Sequence, residues 1–134
     1  MSRGGIAGAP RGFFEALEAR AREIDSLLCV GLDPHSSDLG GGGGADADAA
    51  AAFCTRLIDA TAGVAAAYKP NAAFFEAFGE EGARALRRVV AHVPPGVPVL
   101  LDVKRGDIAS TAEAYGPRVQ RGRVCARICV AWTN

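Results

Sequence analysis

Five residues of this chain are of the types that hold and compensate charge in a confined place: Asp33, Lys69, Asp102, Lys104 and Asp107. Asp102 and Lys104 stand two apart, so on an extended strand they share a face while Val103 points away. Gly106 permits a sharp turn, after which Asp107 supplies a further carboxylate. A lone Asp–Lys pair is most often a solvated ion pair worth little. Four such residues at the ends of three successive apolar runs are a different matter. Burying charges costs several kcal/mol unless they compensate one another, and compensated networks of this kind concentrate at functional sites.

The segments that must carry these residues alternate in type. Phe13, Phe14, Leu17 and Ile24 recur at helical spacing among Glu and Arg, which predicts an amphipathic helix over about 12–23. Ser26 to Leu32 is a nearly continuous apolar run closed by Asp33-Pro34, the pattern of a strand buried on both faces of a parallel sheet. Asp46 or Asp48 can cap an Ala-rich helix through Phe53, Leu57 and Ile58. Val64 to Tyr68 reads as a second strand, ending in Lys69-Pro70-Asn71. Phe74, Phe75 and Phe78 are expected in the core. A helix over 80–92 places Ala83, Leu86, Val89 and Val90 on one face and is broken by Pro94-Pro95-Gly96. Val97 to Leu101 then reads as a third strand, leading into Asp102-Val103-Lys104-Arg105-Gly106-Asp107. Helix and strand in alternation build parallel α/β sheets, whose strand C-termini are where ligands bind.

Other features carry less chemistry. The five glycines Gly40–Gly44 read as a loop; no Lys-Ser or Lys-Thr follows them, as a Walker phosphate cradle requires. His35 and His92 lack metal-ligand spacing and read as structural or surface residues. Cys29, Cys54, Cys125 and Cys129 show no CxxC pairing, which favours a reducing compartment.

The chain has 134 residues, room for one domain, with 49% hydrophobic and 22% charged residues. That composition excludes a disordered tail, and no apolar run reaches the ~20 residues that span a bilayer. Fifteen basic residues balance fifteen acidic ones, so nothing argues for nucleic acid or an anionic membrane as a partner. The balance is uneven along the chain. Met1 to Tyr115 holds 11 basic and 15 acidic residues, whereas Gly116 to Asn134 holds four Arg and no acid. Met1 to Gly12 lacks acids and includes Arg3 and Arg11, which suits a flexible N-terminus or a short organellar transit peptide but no secretory signal.

Three segments taken together, Leu28 to His35 with its Gly31-Leu32-Asp33-Pro34, Tyr68 to Glu76 with its Lys69-Pro70-Asn71, and Leu101 to Ile108 with its Asp-x-Lys-x-x-Asp, resemble orotidine 5′-phosphate decarboxylase. The likeness is greatest to the branch typified by many actinobacterial enzymes, and it covers about 13–115. It implies the N-terminal portion of a (β/α)8 TIM barrel, about three of its eight strands, from a family that dimerises and lives in the cytoplasm. It also implies decarboxylation of orotidine 5′-monophosphate to UMP with no cofactor and no metal. By motif position Lys104 would be the general acid, Asp102 would lie beside the departing carboxylate, and Asp33 and Lys69 would hold the ribose and complete the network. Asp107 and Thr111 would reach across the dimer.

Such a barrel needs about 250 residues, so the isolated chain is expected to be poorly folded and nearly inactive, with no residue assignable to the phosphate. Residues 116–134 match nothing in the family and are expected to be a foreign tail from a frameshift, retained intron or mis-predicted exon, although Val124 to Trp132 has the composition of a strand. Three alternatives stand beside this reading. One is a metal-dependent sugar-phosphate decarboxylase or synthase sharing Asp-x-Lys-x-x-Asp; another is a non-catalytic fragment that pairs with an intact subunit. The third is a parent protein fused to an orotate phosphoribosyltransferase.

Overall fold

A computed structural model describes residues 12–39 and 46–104, together with the backbone of a strand at 124–127. Helix α1 (Phe13–Ile24) leads into β1 (Leu28–Leu32), and a short 3-10 turn (Ser36–Asp38) follows. Next come α2 (Ala47–Thr61), β2 (Ala65–Pro70), the one-turn α3 (Ala72–Glu76), α4 (Gly79–His92), β3 (Val99–Asp102) and β4 (Val124–Arg127). The four strands form one sheet in the order β1-β2-β3-β4, every neighbouring pair parallel. Sequential order with a crossover between each pair is what the helix–strand alternation requires.

The sheet is held to its helices by small residues. Ala47, Ala50, Ala51, Cys54 and Ile58 form the buried stripe of α2, and β2 opens on Ala65, Ala66 and Ala67, all buried. Leu32, Tyr68, Phe75 and Val89 fill the space between. Tyr68 is fully buried, so its hydroxyl needs partners; it donates to the Ile58 carbonyl (3.1 Å) and lies 2.9 Å from Thr61 Oγ1. In α4 the closest approach is at Gly82, where an added Cβ would stand 1.7 Å from the Phe75 carbonyl oxygen. The last turn of the α3 segment therefore rests directly on the backbone of α4. Arg88 pairs with Asp48 and His92 with Asp59 (2.7 Å) across the outer surface of α2 and α4.

Helix α1 is attached differently. It buries no residue completely, and instead the half-buried Arg20 donates to the carbonyls of Ala62 (2.9 Å) and Ala65 (3.4 Å). Ser26 Oγ adds a bond to the Val64 carbonyl (2.7 Å). The helix ends at Asp25, whose left-handed φ of 49° returns its N–H to the Ala21 carbonyl.

The expected elements are present, with shifted ends. β1 starts at Leu28 and not at Ser26, because the Ser26 hydroxyl accepts from the Leu28 N–H (3.2 Å) and holds the chain in a local turn. β3 starts at Val99, since the Val97 N–H closes a turn onto the Pro94 carbonyl (3.2 Å). On α4 the fully buried positions are Gly82, Ala85 and Val89, with Leu86 and Val90 partly buried beside them. Ala83 is also only half-buried, one position off the expected stripe. Phe75 is core as expected, while Phe74 and Phe78 pack on its margin. Asp46, and not Asp48, caps α2: its Oδ1 accepts from the Ala49 N–H (2.7 Å). The expected strand near the end of the chain is β4, shorter than its composition suggested. The five-glycine loop lies outside the described residues. Among the described residues no helix is long and apolar enough to cross a membrane.

Two substitutions test this packing. Gly82→Ala must push α4 off the Phe75 backbone and should cost about 3 kcal/mol or more, read as a lower urea midpoint. Asp46→Ala removes the α2 cap and should cost about 1 kcal/mol by the same measurement.

Candidate active site

The C-terminal ends of β1, β2 and β3 lie side by side. Gly31 is level with Lys69, Leu32 with Pro70, and one step further Asn71 bridges to Asp102. Asp33 follows Leu32 directly, so Asp33, Asn71 and Asp102 cap three adjacent strands. An ideal Cβ at Gly31 would stand 3.7 Å from Asp33 Oδ2, which puts the Asp33 carboxylate above the glycine on the same face of β1. A glycine here leaves that face open beneath the acid.

Asp102 is the centre of the arrangement. Its side chain is 12% exposed, and both lysines address the same oxygen. Lys104 Nζ donates to Asp102 Oδ2, and Lys69 Nζ lies 3.9 Å from it. A carboxylate this deeply placed needs such compensation, because losing one partner leaves a buried charge uncompensated. Lys69 and Lys104 are 36% and 55% exposed, so both ammonium groups can be reached by a solute. The second oxygen, Asp102 Oδ1, is buried with no hydrogen-bond partner among the described residues, and so is Asp33 Oδ1. Two acceptors facing one edge without donors mark a place suited to hydroxyl or N–H groups of a ligand.

Lys104 reaches Asp102 by an unexpected route. β3 ends at Asp102, and Lys104 has a φ of 46°, in the left-handed region that costs a non-glycine residue about 1 kcal/mol. The two side chains meet because the backbone turns back after the strand, and not through the alternation of an extended one. Backbone strain of this kind persists where the surrounding structure over-determines it and is a pointer to function.

The field of Asp33 is felt in the core behind it. Burial, followed by the negative charge of Asp33, pushes the Cys54 thiol up to about 12, so Cys54 stays protonated and is no nucleophile. His35 stands edge-on to Phe74 with ring centres 4.4 Å apart, joining the loop after β1 to α3. His92 is engaged with Asp59, and both histidines are surface residues, as the sequence suggests. Among the described residues no three His, Cys, Asp or Glu side chains converge as a metal site.

Of the residues singled out by sequence, Lys69, Asp102 and Lys104 are brought together, Asp33 stands at the neighbouring strand end, and Asp107 and Thr111 lie outside the described residues. Asn71 was missed as a member of the site. It bridges to Asp102 through the backbone, and its side chain accepts from the Ala73 N–H (3.2 Å) to start α3. Its place directly after Lys69-Pro70 was the available signal, since Asn before a helical run is a common cap.

Comparison with known proteins extends this picture. A model of the orotidine 5′-phosphate decarboxylase / HUMPS family matches residues 26–122. Over 107 residues the chain is 50% identical to the orotidine 5′-phosphate decarboxylase of Roseiflexus castenholzii, a stretch that covers 80% of this chain and 39% of that protein. The structure of Leishmania donovani OMP decarboxylase is similar with a TM-score of 0.68 at 54% identity, covering 80% of this chain and 39% of that one. Leishmania donovani UMP synthase is similar with a TM-score of 0.69 and 54% identity, over 81% of this chain and 22% of that one. The chain spans about two fifths of the length of the curated relatives it matches. Its sheet and helices are the N-terminal portion of a (β/α)8 barrel. With the match running through all three strand ends that carry the charged cluster, this chain belongs to the orotidine 5′-phosphate decarboxylase / HUMPS family.

Proposed function

We propose that these strand ends form the charged half of an active site that decarboxylates orotidine 5′-monophosphate to UMP. The observation that carries this reading is the pair of lysines on one oxygen of the buried Asp102. Loss of CO2 leaves the bonding electron pair on a ring carbon, and an ammonium already fixed beside that carbon stabilises the new charge without solvent rearrangement. Lys104 is that ammonium and delivers the proton that replaces the carboxylate. Asp102 holds Lys104 in place and lies beside the leaving group.

Asp33 and Lys69 take the ribose. Asp33 Oδ1, buried without a partner among the described residues, supports this, because a sugar hydroxyl can donate to it. Asp107 and Thr111 serve the same substrate across a homodimer of complete barrels, in the cytoplasm. In barrels of this architecture the phosphate is usually held by loops after the seventh and eighth strands. The reaction needs no cofactor. The sister activities on sugar phosphates require a divalent metal, whereas the curated relatives at 42–50% identity are all named decarboxylases of orotidine 5′-phosphate.

A chimera that replaces the matching part of the Roseiflexus castenholzii protein with residues 26–122 tests the reading directly. It should consume orotidine 5′-monophosphate, followed by absorbance, and Lys104→Ala should lower kcat by about 1,000-fold or more. A chimera that folds but turns over nothing would remove the assignment. In the same assay Asp33→Ala should act mainly on KM, since it removes a contact to a part of the substrate that does not react. Turnover should also survive millimolar EDTA; abolition by EDTA would favour the metal-dependent sister chemistry.

A further inference from the structure

The acid at the end of β1 stands just beyond the ladder. Pairing between β1 and β2 ends at Leu32 and Pro70, so Asp33 takes its position from the turn that follows it. That turn is tight. The His35 N–H donates to the Asp33 carbonyl (2.9 Å) around Pro34, and the Asp38 N–H donates to the His35 carbonyl (2.9 Å). A three-residue turn suits the fixed φ of proline, and Pro34 is buried. Asp33 and His35 therefore move as one unit.

We propose that His35 is a positioning residue for this unit: its ring, seated on Phe74, fixes Asp33 at a set distance from Lys69 and Asp102. The inference rests on the sugar-binding role given to Asp33 above.

The ring pair joins two turns that are far apart in sequence. His35 and Phe74 have centres 4.4 Å apart and planes at 65°, the edge-to-face arrangement in which the positive rim of one ring meets the negative face of the other. Phe74 is itself firmly held. Its N–H donates to the Asn71 carbonyl (3.3 Å), and Asn71 bridges to Asp102 directly after Lys69 and the fully buried Pro70. The Phe74 ring packs against the core, and the next residue, Phe75, lies with its carbonyl against Gly82 of α4. The turn after β1 thus leans on a stiff platform that also carries the lysine and acid of the neighbouring strand ends. Strand pairing fixes Asp33 relative to them from below, and the ring contact fixes it from above.

Asp33 depends on such support more than Asp102 does. Two lysines hold Asp102, whereas Asp33 Oδ1 has no partner among the described residues, so no side chain there fixes that oxygen in advance. A turn that is already rigid presents the acid to a sugar hydroxyl without an ordering cost, and affinity rises with no added contact.

A double-mutant cycle in the chimera that carries residues 26–122 tests the role. His35→Ala should raise KM for orotidine 5′-monophosphate about tenfold, with kcat within about twofold of the unmodified chimera. Binding of UMP, read by calorimetry, should weaken by a similar factor. His35→Phe keeps an aromatic edge on Phe74 and should hold KM within about twofold. In an Asp33→Ala background, His35→Ala should change KM by less than about twofold, since a residue that acts through Asp33 then has nothing left to position. Should His35→Ala lose helical signal in circular dichroism, Phe74→Leu decides: it removes the ring face, keeps an apolar side chain, and should raise KM as His35→Ala does. An unchanged KM in His35→Ala or, where that variant misfolds, in Phe74→Leu would overturn the proposal. So would a loss confined to kcat, or full additivity with Asp33→Ala. All three leave the decarboxylase reading standing so long as the unmodified chimera turns over and Lys104→Ala does not. A folded, unmodified chimera that neither consumes the substrate nor binds UMP would remove that reading, and the role of His35 with it.

Discussion

One buried carboxylate organises this molecule. Asp102 ends the third strand with 12% of its side chain exposed, and an acid in that position is tolerable only with cations on it. Both cations come from the chain nearby, one from the adjacent strand end and one from a backbone that folds back within two residues. The demands of that single group account for a lysine at the end of β2, for the left-handed turn at Lys104, and for the alignment of β2 with β3. A site assembled in this way is charged before any ligand arrives. That is the condition for electrostatic stabilisation without reorganisation.

The remainder of the fold keeps three strand ends level. β2 lies between its neighbours and is nearly all alanine before Tyr68, so the helices can approach it closely. The Tyr68 hydroxyl then ties the strand to the last turn of α2, one residue before Lys69. Beside α2, on the same side of the sheet, α4 lies on the Phe75 backbone at Gly82. Small residues thus set the spacing, and hydrogen bonds from two larger polar ones, Tyr68 and Arg20, set the register. The stiffness needed by the charged edge comes from packing beneath it.

Much of this was legible in the residues. The three apolar runs named their strands, and the charged residues that close them named the site, because periodicity and a buried parallel strand leave a direct trace in composition. The cap at Asp46 could be narrowed only to two candidates, since either aspartate precedes the alanine run and the choice depends on where the first turn begins. Strand starts shifted by two residues where a local bond, at Ser26 or at Pro94, competed with the ladder. The meeting of Lys104 with Asp102 was foreseen for the wrong reason, as strand alternation carries no information about a turn. The role of Asn71 stayed hidden behind its ordinary capping function.

The attachment of α1 has a consequence for how this part of the protein can vary. Arg20 grips the carbonyls of Ala62 and Ala65, groups that every amino acid supplies. The receiving side of this joint is therefore almost blind to mutation, so long as the backbone keeps its path. The giving side is not, since a lysine cannot span two carbonyls with a planar fork. Drift should accumulate on one side of the joint while the other stays arginine, an asymmetry that a contact between two side chains would not impose.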